Sequence, residues 1–191
     1  MTARKKLENE LTKEMIIHEA HRHFIAHDYS KVSMREIAKE LGCTHGAIYY
    51  HFKNKADLFY AVVEHYFNEL NLILSECVFQ EGNPTEKARN VLIEFIKFGL
   101  DHQSQYNYMF MKQDEEIDPL RQNASIESLH QFTKTIQKLY NEQLPNEEIF
   151  YIFVSMHGFV SHYAGRVENF EEAREAAERF TQYLIRALEK Y

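Results

Sequence analysis

Side chains that can bind phosphate oxygens and base edges are concentrated between residues 33 and 55. The set contains hydroxyl groups, imidazoles, one lysine and two small residues, namely Ser33, Thr44, His45, Gly46, Ala47, Tyr49, Tyr50, His51 and Lys55. Hydroxyls and amines hydrogen-bond to phosphates and bases, and small residues let a backbone approach a groove closely. The chemistry that this set can perform is noncovalent recognition of a nucleic acid.

Two short helices joined by a tight turn are predicted to position these side chains, over residues 33–52. Ser33 is a suitable N-cap, and Glu36 three residues later completes a capping-box pattern. Gly42 stands where a left-handed residue ends a helix, and Thr44 can cap the next helix. Because Cys43 alone separates Gly42 from Thr44, the two helices must cross steeply, as in a helix-turn-helix. In that motif the second helix enters the major groove of DNA.

The second helix and the residues after it carry a spaced pattern of small, aromatic and basic side chains. The pattern consists of Gly46, Ala47, Ile48, Tyr49, Tyr50, His51, Phe52, Lys53, Asn54, Lys55 and Leu58. It resembles the TetR family of bacterial repressors, and the likeness runs from Thr12 to about Leu70. The resemblance implies an N-terminal three-helix DNA-binding head followed by a helical ligand-binding and dimerisation body.

The resemblance and the helix geometry together imply roles for individual side chains. The first turn of the recognition helix, which reaches base edges, comprises Thr44, His45, Gly46 and Ala47. The alternative for Thr44 is that it is only the N-cap of the helix. The alternative for His45 is that its side chain is solvated and contacts no base. Tyr49 and Tyr50 carry hydroxyls suited to phosphate oxygens, with His51 in the same run. Lys55 resembles the family's phosphate-clamping lysine, and Ser33 can present its amide to a phosphate.

The whole chain is predicted to be all-α, with about nine helices. Its 191 residues include only 6 Gly and 3 Pro, and 45% are hydrophobic. The head is expected over residues 10–70 and the body over residues 71–191. The formal net charge is −7, yet residues 1–60 hold ten Lys and Arg against eight Asp and Glu. This asymmetry places the DNA-binding surface in the N-terminal part of the chain.

A small-molecule effector is expected to bind in the body. The large side chains that could line its pocket are Phe67, Phe95, Phe98, Tyr106, Met109, Phe110, Phe132, Phe153, Met156 and His157. Such residues suit a small apolar or aromatic ligand, but an ordinary core would contain them as well. In the family, a ligand in this region displaces the fourth helix and changes the separation of the two heads.

A homodimer is expected to form through helices 8 and 9, predicted over residues 146–166 and from residue 170 to the end. The face assigned to helix 8 comprises Phe150, Phe153, Val154, His157, Val160, Ser161 and Ala164, with Gly158 beside it. The face assigned to helix 9 comprises Phe180, Tyr183, Leu184, Ala187 and Leu188. The alternative is that both faces belong to an intramolecular core. The segment SMHGFVSHYAG also resembles a subgroup of the family with a His-Gly pair in this helix.

Other classes of function are less well supported by the sequence. No phosphate-binding Gly loop, nucleophile motif or spaced carboxylate pair is present, so no catalytic residue and no cofactor is expected. The eleven histidines raise the alternative of a metal-responsive regulator, but helix 1 offers at most two on one face. A second alternative is a DNA-binding architectural or cell-division factor without an inducer.

A cytoplasmic location is expected for this chain. No segment approaches the roughly 18 uninterrupted apolar residues of a membrane span. The first residues contain no apolar run of the kind found in secretion signals. Two cysteines do not suggest a disulfide framework, which is typical of a reducing compartment.

Overall fold

A computed structural model describes residues 11–27, 29–111, 118–140 and 143–188, with only the backbone for residues 118–124. Within these residues the fold is all-α, with nine α-helices and no β-strand, which confirms the predicted class. None of the described helices is both long enough and apolar enough to cross a membrane.

The nine helices have the following bounds: α1 Lys13–Ala26, α2 Met34–Glu40, α3 His45–His51, α4 Lys55–Glu76, α5 Pro84–Asp101, α6 Gln103–Tyr106, α7 Asp118–Leu139, α8 Asn146–Tyr163 and α9 Phe170–Ile185. Short 3-10 turns lie at Tyr29–Lys31 and Cys77–Phe79, and a π-helical turn covers Asn107–Met111. His102 leaves the helical conformation between α5 and α6. The N-cap of α8 is Pro145.

The chain divides into two compact units, one ending at Val62 and the other beginning at Val63. In the first unit, hereafter the head, the inward side chains Ile16, Ile37 and Ile48 of α1, α2 and α3 are fully buried. Their burial at helical spacing is the main stabilising contribution to so small a unit, at about 25 cal/mol per Å² of apolar surface.

In the second unit, hereafter the body, α5 is the central helix and packs against α7, α8 and α9. Its N-terminus is closed by a capping box, in which Asn83 accepts from the Glu86 amide and Glu86 accepts from the Asn83 amide. Gly99 lies where α5 and α8 are closest, because a Cβ added there would stand 2.7 Å from Cγ1 of Val160. The absence of a side chain at Gly99 is therefore what allows the two helices to pack.

We expect Gly99→Ala to lower the free energy of unfolding of the body by about 1–3 kcal/mol, because the added methyl group overlaps Val160. Urea unfolding followed by circular dichroism measures this change. Gly158→Ala on α8 is the control, since a Cβ at that position meets no atom within 4 Å in the protomer. Equal stability of the Gly99→Ala and Gly158→Ala proteins would contradict the close-packing interpretation.

Candidate nucleic-acid interface and interior cavity

The turn between α2 and α3 is built by the residues predicted for it. Gly42 has a φ of 63°, and its amide donates to the carbonyl of Lys39 at 3.0 Å. The amide of Cys43 donates to the carbonyl of Ala38 at 2.9 Å, which completes a Schellman motif. Thr44 then caps α3, because its Oγ1 accepts from the amide of Ala47 at 3.2 Å. A helix-turn-helix results.

The cap of α2 differs from the predicted capping box. Oγ of Ser33 accepts from the amide of Arg35 at 3.3 Å, and not from that of Glu36. The Glu36 amide instead donates to the carbonyl of Ser33 at 3.1 Å, so this donor is already satisfied by the backbone. Ser33 is thus the N-cap as predicted, but the reciprocal contact with Glu36 is not formed.

Helix α3 buries one side and exposes the other. Ile48 is fully buried and holds the helix on the head, whereas His45 and Gly46 are exposed in its first turn. Tyr50 is 87% exposed and Tyr49 is 44% exposed. The rings of His45 and Tyr49 are in edge contact, with centroids 4.6 Å apart. Polar and aromatic groups that could contact a DNA groove therefore lie together on the outer face of α3.

Lys55 has a structural role that the sequence pattern does not reveal. Its Nζ donates to the carbonyl of Tyr29 at 2.8 Å and lies 4.3 Å from the centroid of the Tyr29 ring. A second carbonyl, that of Ser30, is 3.4 Å away. Because an ammonium group has three N–H donors, one remains for another acceptor. Lys55 thus holds the turn before α2 while keeping the capacity to bind a phosphate.

Local capping explains why α4 begins at Lys55. Oδ1 of Asn54 accepts from the amide of Asp57 at 2.8 Å, and the Asp57 carboxylate accepts from the amide of Lys53 at 2.9 Å. Among the remaining predicted contacts, Ala47 and His51 are half-buried on α3. All nine predicted DNA contacts lie in the head, in α3 or close to the ends of α2 and α4.

The body contains a cavity of about 350 Å³ that is open to the surface, since Ile126 in its lining is 64% exposed. Its described lining is mostly apolar and comes from the π-helical turn, α7 and α8: Met109, Phe110, Met111, Ser125, Ile126, Leu129, Phe153 and His157. Cavities of this size and character are typical of small-molecule sites.

A second cavity of about 450 Å³ adjoins the first and shares Met111 with it. Its described lining is more polar and consists of Gln103, Ser104, Tyr106, Asn107, Met111, Ser161 and Ala164. Tyr106 lines this second cavity and His157 lines the first. The Tyr106 hydroxyl and Nδ1 of His157 are joined by a hydrogen bond, so this pair links the two cavities.

The π-helical turn at Asn107–Met111 supplies three of the residues that line the first cavity. A π-turn widens the helix and often marks a functional site. Phe110 in this turn also contacts Phe67 of α4, with ring centroids 5.1 Å apart. The cavity wall is therefore in direct contact with α4.

His157 lies in an aromatic environment. Its ring centroid is 4.4 Å from that of Phe153, 4.5 Å from that of Phe110 and 5.3 Å from that of Phe95. Burial in this apolar surrounding lowers the pKa of His157 to about 4. Burial also raises the pKa of Tyr106 well above its ordinary value. Both partners of the hydrogen bond are therefore uncharged at neutral pH.

This environment predicts a specific dependence of stability on pH. The unfolded chain binds a proton at His157 near pH 6.5, whereas the folded chain does so only near pH 4. The free energy of unfolding is therefore highest above pH 6.5 and falls by roughly 3 kcal/mol as the pH decreases towards 4. Urea unfolding at several pH values measures this loss, which should be smaller in His157→Phe. An equal loss of stability in the unaltered protein and in His157→Phe would contradict the lowered pKa of His157.

The structure distributes the predicted ligand residues over different environments. Met109, Phe110, Phe153 and His157 line the first cavity, and Tyr106 lines the second. Five others do not line either cavity but are buried in the core around them: Phe67, Phe95, Phe98, Phe132 and Met156. The polar lining residues carry no periodic signal, so the sequence did not single them out.

The apolar faces predicted for helices 8 and 9 are split by the structure. Phe150, Val154 and Ser161 are exposed on α8, whereas Phe153 and Val160 are buried within the protomer. On α9, Tyr183 is exposed, but Leu184 is buried within the protomer, as is Leu188 just after the helix.

The prediction of one face per helix was therefore wrong. Apolar residues cover more than one stripe of each helix, since one stripe contacts α5 and another faces outwards. The exposed stripe includes Phe150, Tyr151 and Val154 on α8 and Tyr183 on α9.

No group of three potential metal ligands occurs among the described residues, which include the histidines of α1. His23 instead lies 3.5 Å from the Glu19 carboxylate, one turn away on the same helix.

The geometry of α2, the turn and α3 defines a helix-turn-helix DNA-binding domain. Residues 16–62 match the family model described as bacterial regulatory proteins, tetR family. The N-terminal part of the chain is therefore a DNA-binding domain of the TetR family. The predicted resemblance is thereby confirmed for this domain, whereas the His-Gly subgroup stays a prediction.

Two relatives and one solved structure show further similarity to this chain. The transcriptional regulator AcrR of Shigella flexneri is 37% identical over 100 residues, covering 51% of this chain and 46% of AcrR. The transcriptional repressor BepR of Brucella suis is 28% identical over 112 residues, covering 58% of this chain and 54% of BepR. The chain thus spans about half the length of these curated relatives.

The solved structure is that of the regulator FadR from Bacillus subtilis in complex with stearoyl-CoA. It has a TM-score of 0.68 at 16% identity and covers 93% of this chain and 97% of FadR. At this level of identity the likeness shows a common fold.

Proposed function

We propose that the protein is a dimeric transcriptional repressor that binds a DNA operator through α3 and is released by a small molecule bound in the body. The observation that carries the proposal is the exposed face of α3, where Tyr49, Tyr50 and His45 lie beside the capped turn. The relatives AcrR and BepR, named a regulator and a repressor, support the same function.

In this proposal the first turn of α3 contacts base edges and the surrounding groups contact phosphates. His45 is the base-reading side chain, because it is exposed at the N-terminus of α3. Gly46 and Ala47 allow the backbone to approach the groove. Tyr49, Tyr50 and Lys55 bind phosphates, the tyrosines through their hydroxyls and the lysine through its remaining N–H.

The partner protomer packs against the outward stripes of α8 and α9. Phe150, Tyr151, Val154 and Tyr183 are large apolar or aromatic side chains that remain exposed in the isolated protomer. Phe150, Tyr151 and Val154 lie within two turns of α8, and exposed apolar patches of this kind mark protein–protein contact. A two-fold dimer presents two copies of α3, as two half-sites about one helical turn apart require.

The effector acts through the wall of the first cavity. A molecule in that cavity contacts Phe110, which contacts Phe67 of α4. Because α4 begins at Lys55, a shift of this helix alters a proposed phosphate contact. The coupling needs only a differential affinity for two conformations, typically about 1–3 kcal/mol. The stearoyl-CoA bound to FadR supports a ligand-binding role for a body of this fold.

We expect Lys55→Gln to weaken binding to all DNA sequences and to reduce the slope of log K against log salt by about 0.9 per protomer. Glutamine removes the charge but keeps an N–H donor for the carbonyl of Tyr29. Binding titrations at several salt concentrations measure the slope. Lys97→Gln on α5 is the control and should leave the slope unchanged. An unchanged slope in Lys55→Gln would refute the phosphate contact.

The function is tested by selecting bound fragments from random DNA and then screening metabolites for release of the selected fragment. The proposal expects a defined operator, and His45→Ala should change the preferred bases rather than weaken all sites equally. Failure to enrich any sequence contradicts sequence-specific DNA binding. A stable operator complex that no metabolite releases contradicts the effector part of the proposal.

A further inference from the structure

The Tyr106–His157 pair gives the body cavity a defined polar group. Ser125 and His157 are the polar side chains among the described lining of the first cavity. In a mostly apolar site, a few placed polar groups determine which ligand binds and in which orientation. Whether His157 offers the ligand a hydrogen-bond donor or an acceptor therefore determines which ligands can bind.

The hydrogen bond to Tyr106 determines which nitrogen of His157 carries the proton. Tyr106 is 2% exposed as a residue, and Nδ1 of His157 is the acceptor that the described structure offers its hydroxyl. A buried hydroxyl needs an acceptor for its hydrogen, so Tyr106 donates and Nδ1 accepts. In a neutral imidazole the hydrogen then resides on Nε2.

Nε2 of His157 is left as a donor. None of the described residues forms a hydrogen bond with Nε2, and His157 lines the first cavity. His157 is half-buried. A ligand that displaces water from Nε2 without supplying an acceptor leaves this donor unpaired, at a cost of about 1–3 kcal/mol. A ligand that supplies an acceptor avoids this cost.

The electrostatic character of both cavities favours an uncharged ligand. None of the described residues that line either cavity has a charged side chain. His157 is itself neutral at pH 7, because burial lowers its pKa to about 4. A carboxylate moved into this surrounding loses its hydration without gaining a cationic partner.

We infer that the effector is an uncharged, predominantly apolar molecule with a hydrogen-bond acceptor, and that Nε2–H of His157 binds this acceptor. The inference rests on the proposed function, in which an effector binds in the body. It adds the chemical class of that effector and the residue that selects it. Tyr106 acts through His157, as a positioning residue that fixes the tautomer.

Three naphthalene probes of similar shape test the inference on the full-length protein. The probes are 2-acetylnaphthalene, 2-ethylnaphthalene and 2-naphthoate, which are a neutral acceptor, a hydrocarbon and an anion. Isothermal titration calorimetry at pH 7.5 measures their affinities. We expect the ketone to bind at least about tenfold more tightly than the hydrocarbon, and the carboxylate to bind most weakly.

The variant His157→Phe keeps an aromatic ring but removes the N–H donor. The preference for the ketone over the hydrocarbon should fall to about twofold or less. His162→Phe is the matched control, because His162 is exposed on the same helix and lines neither cavity. In ¹⁵N NMR spectra, Nε2 of His157 should carry the hydrogen, and its signal should shift when the ketone binds.

Several results would overturn the inference. These are equal affinity for ketone and hydrocarbon, tightest binding of the carboxylate, an undiminished preference in His157→Phe, and no binding of any probe up to millimolar concentration. Operator binding is measured on the same preparation. If the ketone shows the expected preference but the protein binds no operator, the repressor proposal fails while the cavity chemistry stands.

Discussion

We expect Val154→Asp to convert the proposed dimer into a monomer and to weaken operator binding at least about a hundredfold. In a two-fold interface each substitution occurs twice, so two carboxylates become buried without partners. An uncompensated buried charge costs several kcal/mol, and every 1.4 kcal/mol changes an equilibrium constant tenfold. The loss of the second half-site then removes most of the operator affinity.

The protomer itself should tolerate this substitution. Val154 is 48% exposed on α8, so an aspartate at that position remains solvated in the isolated protomer. Leu72→Asp is the matched control, since Leu72 is 60% exposed on α4, outside the proposed interface. Sedimentation velocity measures the oligomeric state of both variants. A Val154→Asp protein that stays dimeric, or a Leu72→Asp protein that dissociates equally, would contradict the proposed interface.

The second large effect is expected for the double substitution Tyr49→Phe and Tyr50→Phe. It should weaken operator binding about a hundredfold or more, because a dimer loses four hydroxyls worth about 1 kcal/mol each. Both rings stay in place, and Tyr50 is 87% exposed, so the fold of the head should be unaffected. Fluorescence anisotropy with a labelled operator measures the affinity.

Two features separate this result from that of Lys55→Gln. The double variant loses no charge, so its salt slope should equal that of the unaltered protein. Tyr163→Phe, which removes a hydroxyl from a half-buried side chain of α8 outside the proposed interface, should bind operator normally. If the double variant retains full affinity, the hydroxyls do not contact DNA and the proposed phosphate contacts are wrong.

The head could be predicted closely because its elements are determined by local rules. A side-chain cap, a positive-φ glycine and short helical periods determine where α2 and α3 begin and end, and the structure shows Ser33, Gly42 and Thr44 in these positions. The capping box at Glu36 is not formed, because Oγ of Ser33 accepts from the Arg35 amide while the Glu36 amide donates to the carbonyl of Ser33. Sequence spacing cannot distinguish these two acceptors.

The body could be predicted only in outline, because its site depends on tertiary packing. Helical periodicity does not reveal a π-turn, yet the turn at Asn107–Met111 determines where Phe110 lies. The sequence also gives no sign that Tyr106 and His157, 51 positions apart, form a hydrogen bond. On α8, apolar residues serve two surfaces, and only the packing of α5 shows which stripe is left outside.

The central claim is that two copies of α3 read two half-sites of one operator. Hydroxyl-radical footprinting on the operator selected from random DNA tests it most directly. We predict two protected segments related by an inverted repeat, on one side of the duplex and about 34–36 Å apart or a multiple of that distance. A single protected segment, or protection without sequence preference, would contradict the claim.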